Sequence, residues 1–260
     1  MPRIDIGDIA LNVRQWGSGD PMILVHGLGM SSDLWLHQVR PFSEHYHLIA
    51  IDLRGFGRSD RPRGSGLYTI ENFARDIASV IRILNLDPVH YVGTSMGGYF
   101  GIALALDSPE LCRSLSLCHT ASRSSIADDV LAARTAALQN QSMDEYAKLV
   151  SAQALAKPSN SVITEWLEER VASNDQEIYA QVLTEGLRSF DASGAIASIQ
   201  LPTLVIVGEH DRIIPAQKGY DLAENIPAAH LVEIAGVGHL SYLEAPEIFN
   251  ATVLDFLAQH

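Results

Sequence analysis

The sequence predicts an α/β fold: a mostly parallel central sheet with helices on both faces and an inserted helical cap. Three observations carry it. Short runs rich in Val, Ile and Leu alternate with segments of helical periodicity, the pattern of strands buried on both faces between crossover helices. One such run passes directly into a helix-like stretch through a serine flanked by glycines, Gly93-Thr94-Ser95-Met96-Gly97. The alternation then stops over residues 122–189, which are rich in Ala, Gln and Glu with helical spacing, and it resumes afterwards.

In chain order, residues 4–15 alternate as a hairpin at the sheet edge, and residues 22–25 and 48–51 read as buried strands. Residues 70–84 carry Ile70, Phe73, Ala74, Ile77, Val80, Ile81 and Leu84 at helical spacing behind Thr69, which suits an N-cap. Strands follow at 89–92, 115–117, 204–207 and 230–234, with helices at 216–225 and 246–257. Lys157-Pro158-Ser159-Asn160 breaks the helical insertion once. The resulting division is a core of 1–121 and 190–260 and a cap of 122–189 lying over the strand ends, where open α/β sheets bind ligands.

Composition narrows the function. A chain of 260 residues, 47% hydrophobic and 19% charged, supports one large core with an insertion. Its formal net charge of −13 leaves no basic surface for a phosphate backbone or an anionic membrane, so neither nucleic acid nor membrane is expected as a partner. The first eight residues, MPRIDIGD, place acids where a signal peptide needs an apolar core, and no later run is long enough to span a bilayer. The expectation is a cytoplasmic enzyme. Cys112 and Cys118 flank an apolar strand and read as reduced core thiols.

A serine hydroxyl is a weak nucleophile unless a base stands within hydrogen-bond reach and a third group orients that base. Set between a strand and a helix, Ser95 reads as the nucleophile of a tight elbow, and the positions two before and two after it admit only glycine. Gly208-Glu209-His210-Asp211-Arg212 follows the strand ending at Val207, which makes Asp211 the acid, with Glu209 the weaker choice. Gly236-Val237-Gly238-His239 follows the last strand and makes His239 the base, ahead of His210 and His230, which lack that glycine loop. Activity is then expected to fall in acid as the imidazole protonates. Charge developing on a carbonyl oxygen needs preorganised N–H donors, and the main-chain amides of Leu28, in His26-Gly27-Leu28-Gly29, and Met96 suit that role. No His, Asp and Glu residues cluster at metal-ligand spacing, so neither metal nor cofactor is expected.

These motifs, with Asp52-Leu53-Arg54-Gly55-Phe56-Gly57-Arg58-Ser59-Asp60, resemble the α/β-hydrolase superfamily over almost the whole chain. The resemblance implies the order Ser95, Asp211, His239 for the triad and a structural turn beneath the site for 52–60. Within the superfamily, Leu117-Cys118-His119-Thr120-Ala121-Ser122 and Gly238-His239-Leu240-Ser241-Tyr242-Leu243-Glu244-Ala245-Pro246 look most like 3-oxoadipate enol-lactonases and related small esterases. The chain differs from those lactonases in having His119 where they have asparagine, and in lacking a tryptophan shortly before Arg134. His119 ends a strand and so either meets substrate or caps the strand end. Trp35, Tyr146, Trp166, Tyr179 and Phe190 either line an aromatic pocket or belong to the core, and Arg123, Arg134, Arg170 and Arg188 supply cations in or beside the cap. The reading that results is a serine hydrolase of a small carboxylic ester or lactone, with His119, Arg134 and Trp35 as pocket residues. The alternatives are a C–C hydrolase of ring-cleavage products on the same triad, with a perhydrolase side activity open to either, and a hydrolase-like ligand receptor.

Overall fold

Eight strands run through the molecule in the order β1-β2-β4-β3-β5-β6-β7-β8. They are β1 (Arg3–Asp5), β2 (Ala10–Trp16), β3 (Pro21–Val25), β4 (His47–Ile51), β5 (Val89–Thr94), β6 (Cys112–Cys118), β7 (Thr203–Gly208) and β8 (Ala229–Ile234). The computed structural model describes residues 3–86, 88–124, 126–157, 161–227 and 229–260. The expected break at Pro158, Ser159 and Asn160, and the first two residues of the amino-terminal reading, lie outside the described residues. β1 and β2 form the expected antiparallel hairpin; β2 pairs antiparallel with β4, and all later pairings are parallel.

The helices are α1 (Val39–Ser43), α2 (Ile70–Ile83), α3 (Met96–Asp107), α4 (Asp128–Asn140), α5 (Met143–Ala154), α6 (Ser161–Ala172), α7 (Gln176–Gln181), α8 (Ala216–Asn225), α9 (Ser241–Glu244) and α10 (Pro246–Leu257). Thr69 caps α2 as expected, its Oγ1 accepting from Asn72 N at 3.3 Å. α3 is buried on nearly all sides, which its uninterrupted apolar sequence requires. Ser142 and Glu145 form a reciprocal capping box that starts α5. Gln181 passes into a π-helical stretch, Val182–Leu187. Between β6 and β7 the described residues contain helices and turns and no strand of the sheet, as the loss of alternation predicts.

Beneath the sheet's carboxyl ends, the turn at 52–60 is fixed from inside. Asp52 is buried and accepts from Asn12 Nδ2 (2.9 Å), Ser32 N (2.7 Å) and Arg58 N (2.9 Å). Arg54 grips Asp76 through Nε and a terminal nitrogen, 2.6 Å each, with side chains only 3% and 2% exposed. Both Asp52 and Arg54 therefore serve structure, and Gly55 and Gly57, at φ +82° and +55°, let the chain double back after them. Cys112 and Cys118 are unpaired and buried, and burial pushes the Cys112 thiol up to about 12.

Removing one partner of a buried, bidentate ion pair leaves a stranded charge. Arg54→Leu is expected to lower unfolding free energy by about 3–5 kcal/mol. The double variant with Asp76→Leu should recover much of that loss, both read from urea unfolding curves.

Candidate active site

The carboxyl ends of β3, β5, β7 and β8 converge, and each delivers one expected residue. Ser95 follows β5 with φ +55° and ψ −118°, a strained backbone that only its surroundings hold. Its N–H donates to Cys118 O (2.8 Å) and its carbonyl accepts from Gly98 N (2.9 Å). A Cβ on Gly93 would lie 2.5 Å from Gly97 O, and one on Gly97 would lie 2.5 Å from Val25 O, so the elbow packs main chain against main chain. Tyr91 completes the lock, its hydroxyl donating to Gly97 O at 2.6 Å.

The turn after β3 closes over the elbow. His26 is buried and bridges that turn to the next loop, with Nδ1 2.7 Å from Gly27 O and Nε2 accepting from Leu53 N at 3.0 Å. Burial lowers its pKa against the pull of the Gly27 carbonyl and Asp52, so the ring is neutral and acts as a strut. A Cβ on Gly27 would be 3.1 Å from Ser95 Cβ. Leu28 and Met96, which follow Gly27 and Ser95, both line the cavity in front of the serine.

Asp211 lies in the loop after β7. Its Oδ1 accepts from Ile213 N and Ile214 N at 2.9 Å each, and its Oδ2 faces His239 Nδ1 at 2.7 Å. Burial by itself would raise this carboxyl; the charge of His239 and the hydrogen bonds from His119 and His239 outweigh it and hold the group well below the usual carboxylate range. His239 N donates to Ala154 O at 2.7 Å, which ties the loop after β8 to the end of α5. Glu209, the weaker acid candidate, instead accepts from Gly236 N at the surface.

Ser95 and His239 share a cavity of about 370 Å³ between the sheet and the helices that follow β6. Most of its wall is apolar. Arg134 on α4 enters that wall and contacts Gln153 Oε1 at 3.4 Å. Tyr146 and Tyr179 meet edge to face at 5.4 Å on the same side; burial raises both phenols and the Arg134 charge opposes it. Val130 and Leu149, 42% and 48% exposed, also line this cavity.

Two expected pocket residues lie elsewhere. Trp35 is 0% exposed and packs on Tyr242 (5.4 Å) and Phe249 (6.5 Å), outside the lining, because the short helical turn Ser32–Trp35 turns it into the core. His119 is buried too and outside the lining: its Nδ1 is 3.3 Å from Asp211 Oδ2 and its Nε2 is 2.7 Å from Ser241 Oγ. A left-handed φ of +51° swings it behind the acid. Trp166 and Phe190 likewise stay out of the lining, whereas Tyr99 and Tyr242, not singled out by sequence reasoning, are in it. Ser241 also escaped notice; its place two residues after His239 was the available signal.

His119, Asp211 and His239, far apart in sequence, bring nitrogen and oxygen atoms within 4.8 Å of one another, a grouping that local spacing could not reveal. Both imidazoles point Nδ1 at the same carboxylate oxygen, Asp211 Oδ2.

This sheet order, with the tight turn at Ser95 after β5 and an apolar cavity before it, is the architecture of the α/β hydrolases, and the chain belongs to the α/β-hydrolase fold family, whose model matches residues 20–246. Among its relatives, 3-oxoadipate enol-lactonase 2 of Acinetobacter baylyi is 29% identical over 95% of this chain and 92% of that protein. RutD of Azorhizobium caulinodans, assigned as a carbamate hydrolase, is 28% identical over 100% of this chain and 99% of that protein. The crystal structure of the enol-lactonase from Burkholderia xenovorans LB400 superposes with a TM-score of 0.92 at 29% identity, covering 99% of this chain and 100% of that one.

The depressed Asp211 pKa has a pH signature. A carboxyl lowered on folding contributes stability that is complete above its unfolded value, about 4, and is lost progressively as pH falls from there through the folded value. Asp211→Asn should therefore show a urea-midpoint deficit that is constant from neutrality down to mildly acidic pH and narrows only in strong acid. A deficit that vanished near pH 5 would contradict this assignment.

Proposed function

We propose that the protein hydrolyses a small carboxylic ester or lactone through an acyl-serine intermediate. The observation that carries this reading is the 2.7 Å Asp211–His239 contact on an imidazole that lines the same cavity as Ser95. Ser95 Oγ attacks the carbonyl carbon as His239 takes its proton, and Asp211 orients the ring and stabilises the imidazolium. The Leu28 and Met96 amides donate to the oxyanion, and main-chain donors fixed by the elbow need no reorganisation as charge develops. His239 returns the proton to the departing oxygen, then activates a water that releases the acid. With a lactone, the departing oxygen stays tethered to the acyl group and the product is a single hydroxy acid.

In this reading the helices of 122–189 form the cap and set the substrate. Their apolar wall accepts an alkyl or alkenyl body, and Arg134 beside Gln153 receives a carboxylate at its far end. The enol-lactonase relatives support the lactone side of the proposal, and the RutD relative makes a carbamate carbonyl the natural comparison on the same machinery.

Ser95→Ala should leave the fold intact and reduce turnover of p-nitrophenyl acetate at least about a thousandfold. Retained turnover would refute the serine's role. On a panel of neutral and carboxylate-bearing lactones, esters and carbamates, Arg134→Leu should raise KM for the carboxylate-bearing members while sparing the neutral ones. Equal effects on both would remove Arg134 from substrate recognition.

A further inference from the structure

Asp211 serves two imidazoles. Both reach the same oxygen, Oδ2: His239 Nδ1 at 2.7 Å and His119 Nδ1 at 3.3 Å. The two rings meet edge to face at 5.5 Å. His119 does not line the substrate cavity, and its side chain is 0% exposed. Nothing in the hydrolytic cycle above uses it, yet a buried histidine between a carboxylate and a hydroxyl is costly unless each nitrogen is satisfied.

The geometry points to His119 as a positioning residue for the triad: a neutral second donor that fixes Asp211 Oδ2, itself locked in one tautomer by the Ser241 hydroxyl. This inference rests on the triad reading above and adds to it a fourth and a fifth member. The proton assignment follows from the partners. An ionised carboxylate only accepts, so Nδ1 of His119 carries its hydrogen. Burial lowers the His119 pKa and the neighbouring His239 opposes its charging, against the pull of Asp211 and the more remote Glu244. The ring is neutral, so Nε2 is a lone pair and Ser241 O–H donates to it at 2.7 Å. The chain of donors runs from Ser241 to His119 to Asp211.

The backbone is arranged for this purpose. His119 adopts φ +51°, an uncommon conformation for a histidine, while its N–H still closes the sheet by donating to Ile206 O at 2.8 Å. Ser241 is fully buried at the start of α9, two residues beyond His239, so one short segment delivers both the base and the group that sets the second histidine's tautomer. Glu244, the other charge near the ring, is occupied by Gly238 N (2.9 Å) and Ala156 N (2.8 Å). With the Ile213 and Ile214 amides on Oδ1, Asp211 accepts four hydrogen bonds and cannot rotate without breaking several.

Two consequences separate positioning from packing. A residue that holds the acid without touching substrate acts on kcat and leaves KM alone. It also moves the pH profile: with the second donor gone, the Asp211 charge is less compensated and pairs more strongly with protonated His239, so the acid limb of activity shifts to higher pH.

The test uses the full-length enzyme and an ester that the wild type turns over. His119→Leu, which fills the space without a donor, should lower kcat about tenfold or more, as expected for a lost hydrogen bond to a charge. KM should stay within about twofold, and the acid limb should move up. His119→Asn, which keeps one N–H donor, should retain most of kcat. Ser241→Ala, which touches neither Asp211 nor substrate, should lower kcat in the same direction and gives a second route if His119→Leu does not fold. Wild-type turnover and an unmoved acid limb in His119→Leu would overturn the inference, as would a rise in KM with unchanged kcat, which would make His119 a substrate contact. Ser95→Ala keeps the two readings apart. If it stays active, the triad itself is wrong; if it is inactive while His119→Leu behaves as wild type, only the role of His119 falls.

Discussion

Everything at the site depends on how closely the ends of β3 and β5 approach each other. Gly97 packs its Cα against Val25 O, Gly93 against Gly97 O, and Gly27 against the serine itself, so the elbow and the turn facing it are in main-chain contact. That contact holds Ser95 at φ +55° and brings the residues after Gly27 and Ser95 to one cavity. A methyl group at Gly97 would force the two turns apart, and one at Gly93 would open the elbow itself. The strain is sustained by burial: β5 is covered along its whole length and α3 on nearly all sides, which leaves the elbow no room to relax.

A second constraint is electrostatic. A carboxylate buried between a sheet and a helical layer is unfavourable unless its lone pairs are occupied. At Asp211 two loop amides and two imidazoles occupy them, and the carboxyl is pushed down rather than up. An acid held ionised keeps His239 in the tautomer that presents its other nitrogen to the cavity. His26 on the opposite side is also buried, but its ring nitrogens meet only main-chain groups and burial lowers its pKa, so it shapes a turn without entering the chemistry. Two buried histidines thus differ in partners: main-chain groups for His26, a carboxylate for His239.

The legible parts of the sequence were those governed by local rules. Strand and helix periods placed β3 to β8: the five strands β3 to β7 are covered on both faces and so are rich in apolar residues, while β8, exposed at the sheet edge, keeps enough of them to be read. Glycine positions marked the turns that carry Ser95, Asp211 and His239, because each marks a close approach or a sharp reversal beside a strand end. What failed were inferences about where a large side chain points. Trp35 reads as either core or pocket and is expected in the pocket, but one helical turn sends it to the core against Tyr242 and Phe249. Tyr146 and Tyr179 carry the same ambiguity and face the cavity.

The sequence by itself therefore determined the fold, the order of the three expected catalytic residues and the turns that hold them, since these follow from periodicity and from the space that only glycine leaves. The tertiary structure alone decided which side chains share the cavity and which stand behind the acid. His119, Asp211 and Ser241 are separated by ninety-two and thirty residues along the chain, and their association depends on the pairing of β6 with β7 and on the path of the loop after β8. No local pattern encodes that pairing, because a left-handed φ at one residue, supported from three separate segments, redirects an imidazole from the cavity to the carboxylate.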